Sequence, residues 1–269
     1  MKLLNLDKVV CLSPHPDDTE FSLAGTALKY YDTTFFINCL TKGGAPGFDS
    51  SNEEFERRQE VNEYWRELGV ENVQVIHSNC DYLTDKTEPE WINYIEDVFF
   101  RKDSFEEGVN TGLMIPTYQD SMFEHRFVSQ LGYGLIRSYP ISLIEYRTVS
   151  TLTEWNPNLI VDITSEYIRK VDSMKAFKSQ NNKLFFSDNS LEQFHTDFDL
   201  DGACDEIYAT KSIFLGKKSY MDYLESKDKD GRTITGFHSR LKGITEEGLD
   251  LAASEYPDGY IGLYQDLAK

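Results

Sequence analysis

The sequence predicts an α/β protein built on a parallel sheet with helices on both faces. Two observations carry this. Over the first two-thirds of the 269 residues, short apolar runs alternate with segments whose apolar residues recur at helical spacing. The chain is also long enough, at 40% hydrophobic and 13% aromatic residues, to bury the full core of one such domain.

Residues 9–12 (Val-Val-Cys-Leu) read as a buried strand, followed by a polar turn and then Phe21, Leu23, Ala24, Ala27 and Leu28 at helical spacing. Residues 35–40 form a second strand, and a loop with Gly43, Gly44 and Gly47 follows. Ser51 starts a helix, with Glu54 three residues on as a capping box and Val61, Tyr64, Trp65 and Leu68 as its apolar stripe. Gly69 stands where a helix-ending glycine belongs. Residues 73–76 are a third strand. Trp91, Ile92, Ile95, Val98 and Phe99 mark the next helix, and residues 113–115 a short strand that stops at Pro116. A helix over about 123–136, strands at 143–146 and 159–163, and a helix over about 165–180 complete the alternation. Residues 1–182 are read as the α/β core. Residues 183–269, where the pattern degrades, are read as a C-terminal extension packed on it within the same domain. Its polar stretch 188–205 and the charged turn 227–231 suit a cover for the site. In such a sheet, ligand sites lie at the carboxyl ends of the strands.

Charge and composition exclude several function classes. Against 27 Lys and Arg stand 46 Asp and Glu, a formal net charge of −19. Such a surface repels phosphate backbones and anionic lipid heads, so neither nucleic acid nor a membrane surface is an expected partner. No segment has the ~20 apolar residues of a membrane span, and the first residues carry no export signal. Cys11, Cys39, Cys80 and Cys204 are scattered without a C-x-x-C pair, which points to buried thiols in a reducing cytoplasm. No glycine-rich phosphate loop is present.

The chemistry concentrates in Ser13-Pro14-His15-Pro16-Asp17-Asp18-Thr19-Glu20, between the first strand and the first helix. His15 and Asp18 are zinc-competent ligands. Pro16 restricts the turn. Asp17, beside a metal-bound water, is placed to take its proton. The same residues also suit a charged helix start favoured by the macrodipole. A magnesium site for phosphate hydrolysis is a third reading, which His15 opposes because Mg²⁺ prefers oxygen ligands.

His15-Pro16-Asp17-Asp18-Thr19-Glu20 resembles the H-P-D-D-x-E signature of the LmbE-like, or PIG-L, family of zinc-dependent N-deacetylases. Further blocks follow in the family's order. Thr41-Lys42-Gly43-Gly44 resembles its T-x-G segment. Arg57 to Glu60 with Leu68-Gly69-Val70 resembles R-x-x-E…L-G-V. The segment 157–163 with Lys170 and Ser179-Gln180 resembles P-N…V-D-I…K…S-Q. The resemblance implies a Rossmann-like (LmbE-like) fold and a third ligand, His125, closing the D-x-H-x-D-H-like stretch from Asp120. His15, Asp18 and His125 would then hold Zn²⁺ with a position left for water, Asp17 would be the general base, and Arg57 would bind substrate. The implied reaction removes acetyl from an N-acetylated amino sugar of the GlcNAc type, free or in a glycoconjugate, or from a related small amide, giving acetate and a free amine. A homo-oligomer is compatible with it.

Met122 departs from the pattern, standing where the family has a histidine; a thioether cannot donate a proton. Asp120, Tyr118, His195 and His238 are the candidates to replace it. The alternative is a catalytically degenerate metal- or glycan-binding protein of the same fold. Trp155 is read as core or, less simply, as a sugar-stacking platform, and His77 as structural.

Overall fold

Apolar strands covered on both faces need helices above and below the sheet, and from the first strand to the fifth the chain supplies one between each pair of successive strands. The computed structural model describes residues 1–43, 51–101, 109–136, 139, 141–180, 183–196, 203–214 and 260–261. In chain order these form β1 (Lys8–Ser13), α1 (Asp18–Lys29), β2 (Thr34–Cys39), α2 (Ser51–Leu68), β3 (Val73–His77), α3 (Glu88–Ile95), β4 (Thr111–Pro116), α4 (Phe123–Leu135), β5 (Ser142–Tyr146), β6 (Leu159–Asp162), α5 (Thr164–Met174), α6 (Asp188–Thr196), β7 (Asp205–Phe214) and β8 (Tyr260–Ile261). The 227–231 turn, His238, Gly44, Gly47 and the side chains of Ser51 and Glu54 lie outside what is described.

The main sheet has the order β3-β2-β1-β4-β5-β7-β6. The first five strands are parallel, as the alternation predicts. β7 runs antiparallel to both β5 and β6, so the sheet is mixed. The apolar pattern alone does not mark β7, because Glu206 and Thr210 bound an apolar run of only three residues, 207–209. β8 pairs with the end of β7.

Side-chain alternation along β1 sorts the core into two layers. Val9 and Cys11 pack with Phe21 and Leu23 of α1 and Tyr64 and Trp65 of α2 on one face. Val10 and Leu12 pack with Trp91 and Ile95 of α3 and Val128 and Leu131 of α4 on the other. Each such fully buried aliphatic side chain stabilises the fold by roughly 1.5–3 kcal/mol. α4 lies close against the sheet: a Cβ at Gly132 would come within 2.6 Å of Ile115. Gly69 closes α2 at φ +65°, the left-handed conformation expected there.

Cys11, Cys39 and Cys80 are buried, free thiols. No helix among the described residues is long and apolar enough to cross a membrane. The strand order reverses between β1 and β4, and at such a switch point the loops leaving the two carboxyl ends diverge and open a crevice.

Candidate metal centre

The crevice is bounded by the loop from β1 to α1 and by the loop from β4 to α4, the two segments that carry the motif residues. On the first loop, Ser13 Oγ donates to the His15 carbonyl at 2.7 Å and Thr41 Oγ1 to the Pro14 carbonyl at 2.8 Å. Asp17 adopts φ +119°, a left-handed conformation unusual for a residue with a Cβ. Its neighbours hold it there. The Asp17 N–H donates to Glu20 Oε2 at 3.1 Å. Arg57 Nη2 donates to the Pro16 carbonyl at 2.6 Å and to Asp17 Oδ2 at 2.9 Å. Glu20 is in turn fixed by Trp65 Nε1 at 2.5 Å, and burial pushes its carboxyl up to about 7. Burial likewise raises the Asp17 carboxyl, against the pull of Arg57.

Asp18, the first residue of α1, reaches both histidines. Its Oδ2 accepts from the His15 N–H at 2.9 Å and lies 3.2 Å from His15 Nδ1; its Oδ1 lies 3.3 Å from His125 Nε2. One donor atom from each of His15, Asp18 and His125 falls within 4.8 Å of the others. His125 is 1% exposed, and its Nε2 has no hydrogen-bond partner. A buried ring nitrogen left without a partner, facing a carboxylate and a second imidazole, is what a cation ligand looks like before the cation is added. The electrostatics agree. Burial alone would push the His125 imidazole down, but Asp18 and Asp120 outweigh it and hold it up at about 10. Burial pushes the Asp18 carboxyl up, but His125 and His15 hold it well below the usual carboxylate range. The two carboxylates thus favour a positive charge at the His125 ring. Two imidazoles and one carboxylate suit zinc better than magnesium.

Asp120 stands behind His125. Its carboxylate is buried, 3.1 Å from His125 Nδ1, and accepts from the Met122 N–H at 2.8 Å, from Ser150 Oγ at 2.7 Å and from Thr148 Oγ1. These partners outweigh burial and lower its carboxyl. Asp120 also pairs in a bridge with Thr151, joining the loops after β4 and β5. Thr148 and Ser150 were missed by sequence reasoning; their only signal was a polar Thr-x-Ser-Thr run at the carboxyl end of a strand.

The remaining sequence candidates are spread out. Arg57 is buried, with its guanidinium on Asp17 and on the carbonyls of Pro16 and Gly43. Tyr118 and Met122 are exposed on the β4–α4 loop. His195 is buried against Lys170. His77 sits at the end of β3, 3.3 Å from Asn62 Oδ1. Trp155 is buried and donates to Glu145 Oε2 at 3.1 Å, so it is core and not a platform. Two matched blocks meet directly: Glu60 accepts from the N–H and hydroxyl of Ser179, both at 2.7 Å. A cleft of about 310 Å³ opens beside His15, with Thr41, Asp81, Tyr82, Phe123 and Glu124 on its walls.

Solved structures share this architecture. An A40926 pseudoaglycone deacetylase superimposes with a TM-score of 0.59 at 14% identity, over 76% of this chain and 96% of its own. The N,N'-diacetylchitobiose deacetylase from Pyrococcus horikoshii gives 0.57 at 21% identity, over 83% and 88%. The 4-carboxy-2-hydroxymuconate hydratase from Pseudomonas putida gives 0.58 at 14% identity, over 76% and 96%. At such identities these likenesses speak for the fold. No curated protein sequence matches the chain. The sequence profile described as "PIG-L: GlcNAc-PI de-N-acetylase" matches residues 10–173, which takes in the loop of His15, Asp17 and Asp18, the helix of Arg57 and Glu60, and His125 with its Asp120 support; the chain belongs to the PIG-L family.

Proposed function

We propose that this protein is a zinc-dependent N-deacetylase that hydrolyses the acetamide of an N-acetylated amino sugar, or of a related small amide, to acetate and a free amine. The observation that carries the reading is the buried Nε2 of His125, without a hydrogen bond and facing Asp18 and His15, with Asp17 on the adjacent turn. His15, Asp18 and His125 would hold the metal, and Asp120 fixes the His125 ring from behind. Zinc, when bound, supplies a Lewis acid and a water of lowered pKa. Asp17 takes the proton of the attacking water on a carboxylate oxygen and returns it to the departing nitrogen, so that acetate and amine leave together. The burial that raises its carboxyl suits a group that must both accept and give a proton. The cleft beside His15 receives the amine-bearing ring. Residues 1–182 and the following region act as one domain, a reading supported by the place of β7 in the sheet. The buried, free thiols of Cys11, Cys39 and Cys80 support a reducing compartment, the cytoplasm.

Met122 favours a second reading, a metal- and glycan-binding protein without turnover, since no imidazole stands at that position. Zinc content together with a free-amine assay on N-acetylglucosamine and N,N'-diacetylchitobiose separates the two. Stoichiometric zinc with amine release supports the deacetylase. Tight zinc with no release over a broad acetamide panel supports the binding protein.

A further inference from the structure

Far from the crevice, the middle of α1 is gripped by a buried polar cluster. Glu206 of β7 accepts from the backbone N–H of Gly25 on Oε1 at 2.8 Å and of Thr26 on Oε2 at 2.6 Å. The carbonyls four residues earlier, which such N–H groups meet in a regular helix, also have side-chain donors. Lys170 Nζ donates to the Phe21 carbonyl at 2.6 Å, and the Tyr208 hydroxyl lies 3.1 Å from the Ser22 carbonyl.

The cluster is closed on itself. The Lys170 ammonium has three protons and three acceptors: the Phe21 carbonyl, Glu206 Oε1, and His195 Nε2 at 2.7 Å. His195 Nδ1 lies 2.7 Å from the Leu191 carbonyl, so it is the protonated nitrogen and Nε2 is the acceptor. The Glu206 carboxylate takes two backbone N–H groups and Lys170, with the Tyr208 hydroxyl 3.1 Å from its Oε2. The Lys170 and Glu206 side chains are fully buried. Burying an ion pair costs free energy that its own attraction seldom repays. What this one does is bind one helix to the sheet at a fixed height.

That height matters to the metal centre because its ligands come from opposite layers. Asp18 starts α1 on one face of the sheet, and His125 lies on α4 on the other. They meet only over the sheet's carboxyl edge. Gly25 lies seven positions after Asp18, about 10 Å along the helix, so a shift of α1 along its axis carries Asp18 with it.

We infer that Glu206 is a positioning residue for the metal centre: by holding α1 to β7 at Gly25 and Thr26, it sets Asp18 against His125. The inference rests on the metal reading proposed above. It is tested on the full chain with Glu206→Gln, Tyr208→Phe and Leu191→Ala. Glu206→Gln puts an amide N–H₂ where two acceptor sites are needed and removes the partner of Lys170. Tyr208→Phe removes a single hydroxyl and is the milder probe. Leu191→Ala loosens the same buried layer while keeping every side chain of the cluster and the carbonyl that meets His195, and so controls for general destabilisation.

The readouts are zinc affinity by chelator competition and the visible absorption of the cobalt-substituted protein, which reports ligand geometry. The expected result is about a tenfold loss of zinc affinity for Glu206→Gln with an altered cobalt spectrum. A smaller change in the same direction is expected for Tyr208→Phe, and wild-type values for Leu191→Ala at a comparable loss of Tm. Wild-type affinity and spectrum in both Glu206→Gln and Tyr208→Phe, or equal losses in Leu191→Ala, overturn the inference. A wild-type protein that binds no metal overturns the proposed function itself, and the inference with it.

Discussion

The Asp120 carboxylate lies 3.1 Å from Nδ1 of His125, on the far side of the ring from the Asp18 carboxylate. The imidazole is therefore held between two acids, Asp18, its fellow ligand in the proposed centre, and Asp120, which sets the ring. Asp120 in turn is anchored by Ser150 and Thr148 and by the Met122 N–H, so it is not free to turn toward substrate. Asp120→Asn keeps the shape but replaces one accepting oxygen with a donor. Zinc affinity is expected to fall about 10- to 100-fold, the usual cost of losing a hydrogen-bond partner behind a histidine ligand. Unchanged affinity in chelator competition would count against the orienting role.

Asp17→Asn separates the proposed base from the proposed ligands. Asp17 sits on the turn, while the three donor atoms belong to His15, Asp18 and His125. The variant is expected to keep stoichiometric zinc and lose turnover by about 10²- to 10⁴-fold, the range for removal of a general base. Metal analysis and the amine assay on the same preparation decide it; near-normal turnover with zinc bound shows that another group takes the proton.

Much of this centre was legible in the sequence because its residues cluster in short runs at strand ends. The strand of residues 9–12 followed by His-Pro-Asp-Asp marks both a carboxyl edge and a candidate ligand set, and the topology then brings β4 and His125 beside it. What was not legible is the support. Thr148, Ser150 and Glu206 lie 23, 25 and 81 residues along the chain from His125, and act only through contacts the fold makes. Glu206 was hidden twice: a buried acid breaks the apolar run that reveals a strand, and nothing local to it names α1 as its partner.

Arg57 illustrates a different gap. The family resemblance gives it a substrate contact, whereas its buried guanidinium meets Asp17 and two backbone carbonyls. A fork geometry of this kind is specific to arginine. If Arg57 acts on the base, Arg57→Lys lowers kcat about tenfold or more and leaves KM nearly unchanged. If it binds substrate, KM rises instead. Initial rates over a substrate range distinguish the two.

His195 makes stability depend on pH in a direction that can be worked out. Burial, reinforced by the Lys170 ammonium, holds its imidazole well below the ordinary histidine value. The folded state therefore keeps His195 neutral, while the unfolded chain takes a proton as the pH falls below about 6.5. Its contribution is fully present above that value and is lost on acidification. Glu20 works oppositely: burial raises its carboxyl to about 7, so its contribution is present below the ordinary glutamate value and lost as the pH rises toward 7. The absolute curve mixes the two, so the difference between wild type and His195→Gln isolates His195. The amide oxygen can still accept from Lys170, but the side chain does not titrate. From pH 7 to pH 5 the wild type is expected to lose about 1–2 kcal/mol more than the variant. Urea unfolding of both proteins across that range measures it, and parallel curves would show that His195 keeps a normal affinity for its proton in the folded state.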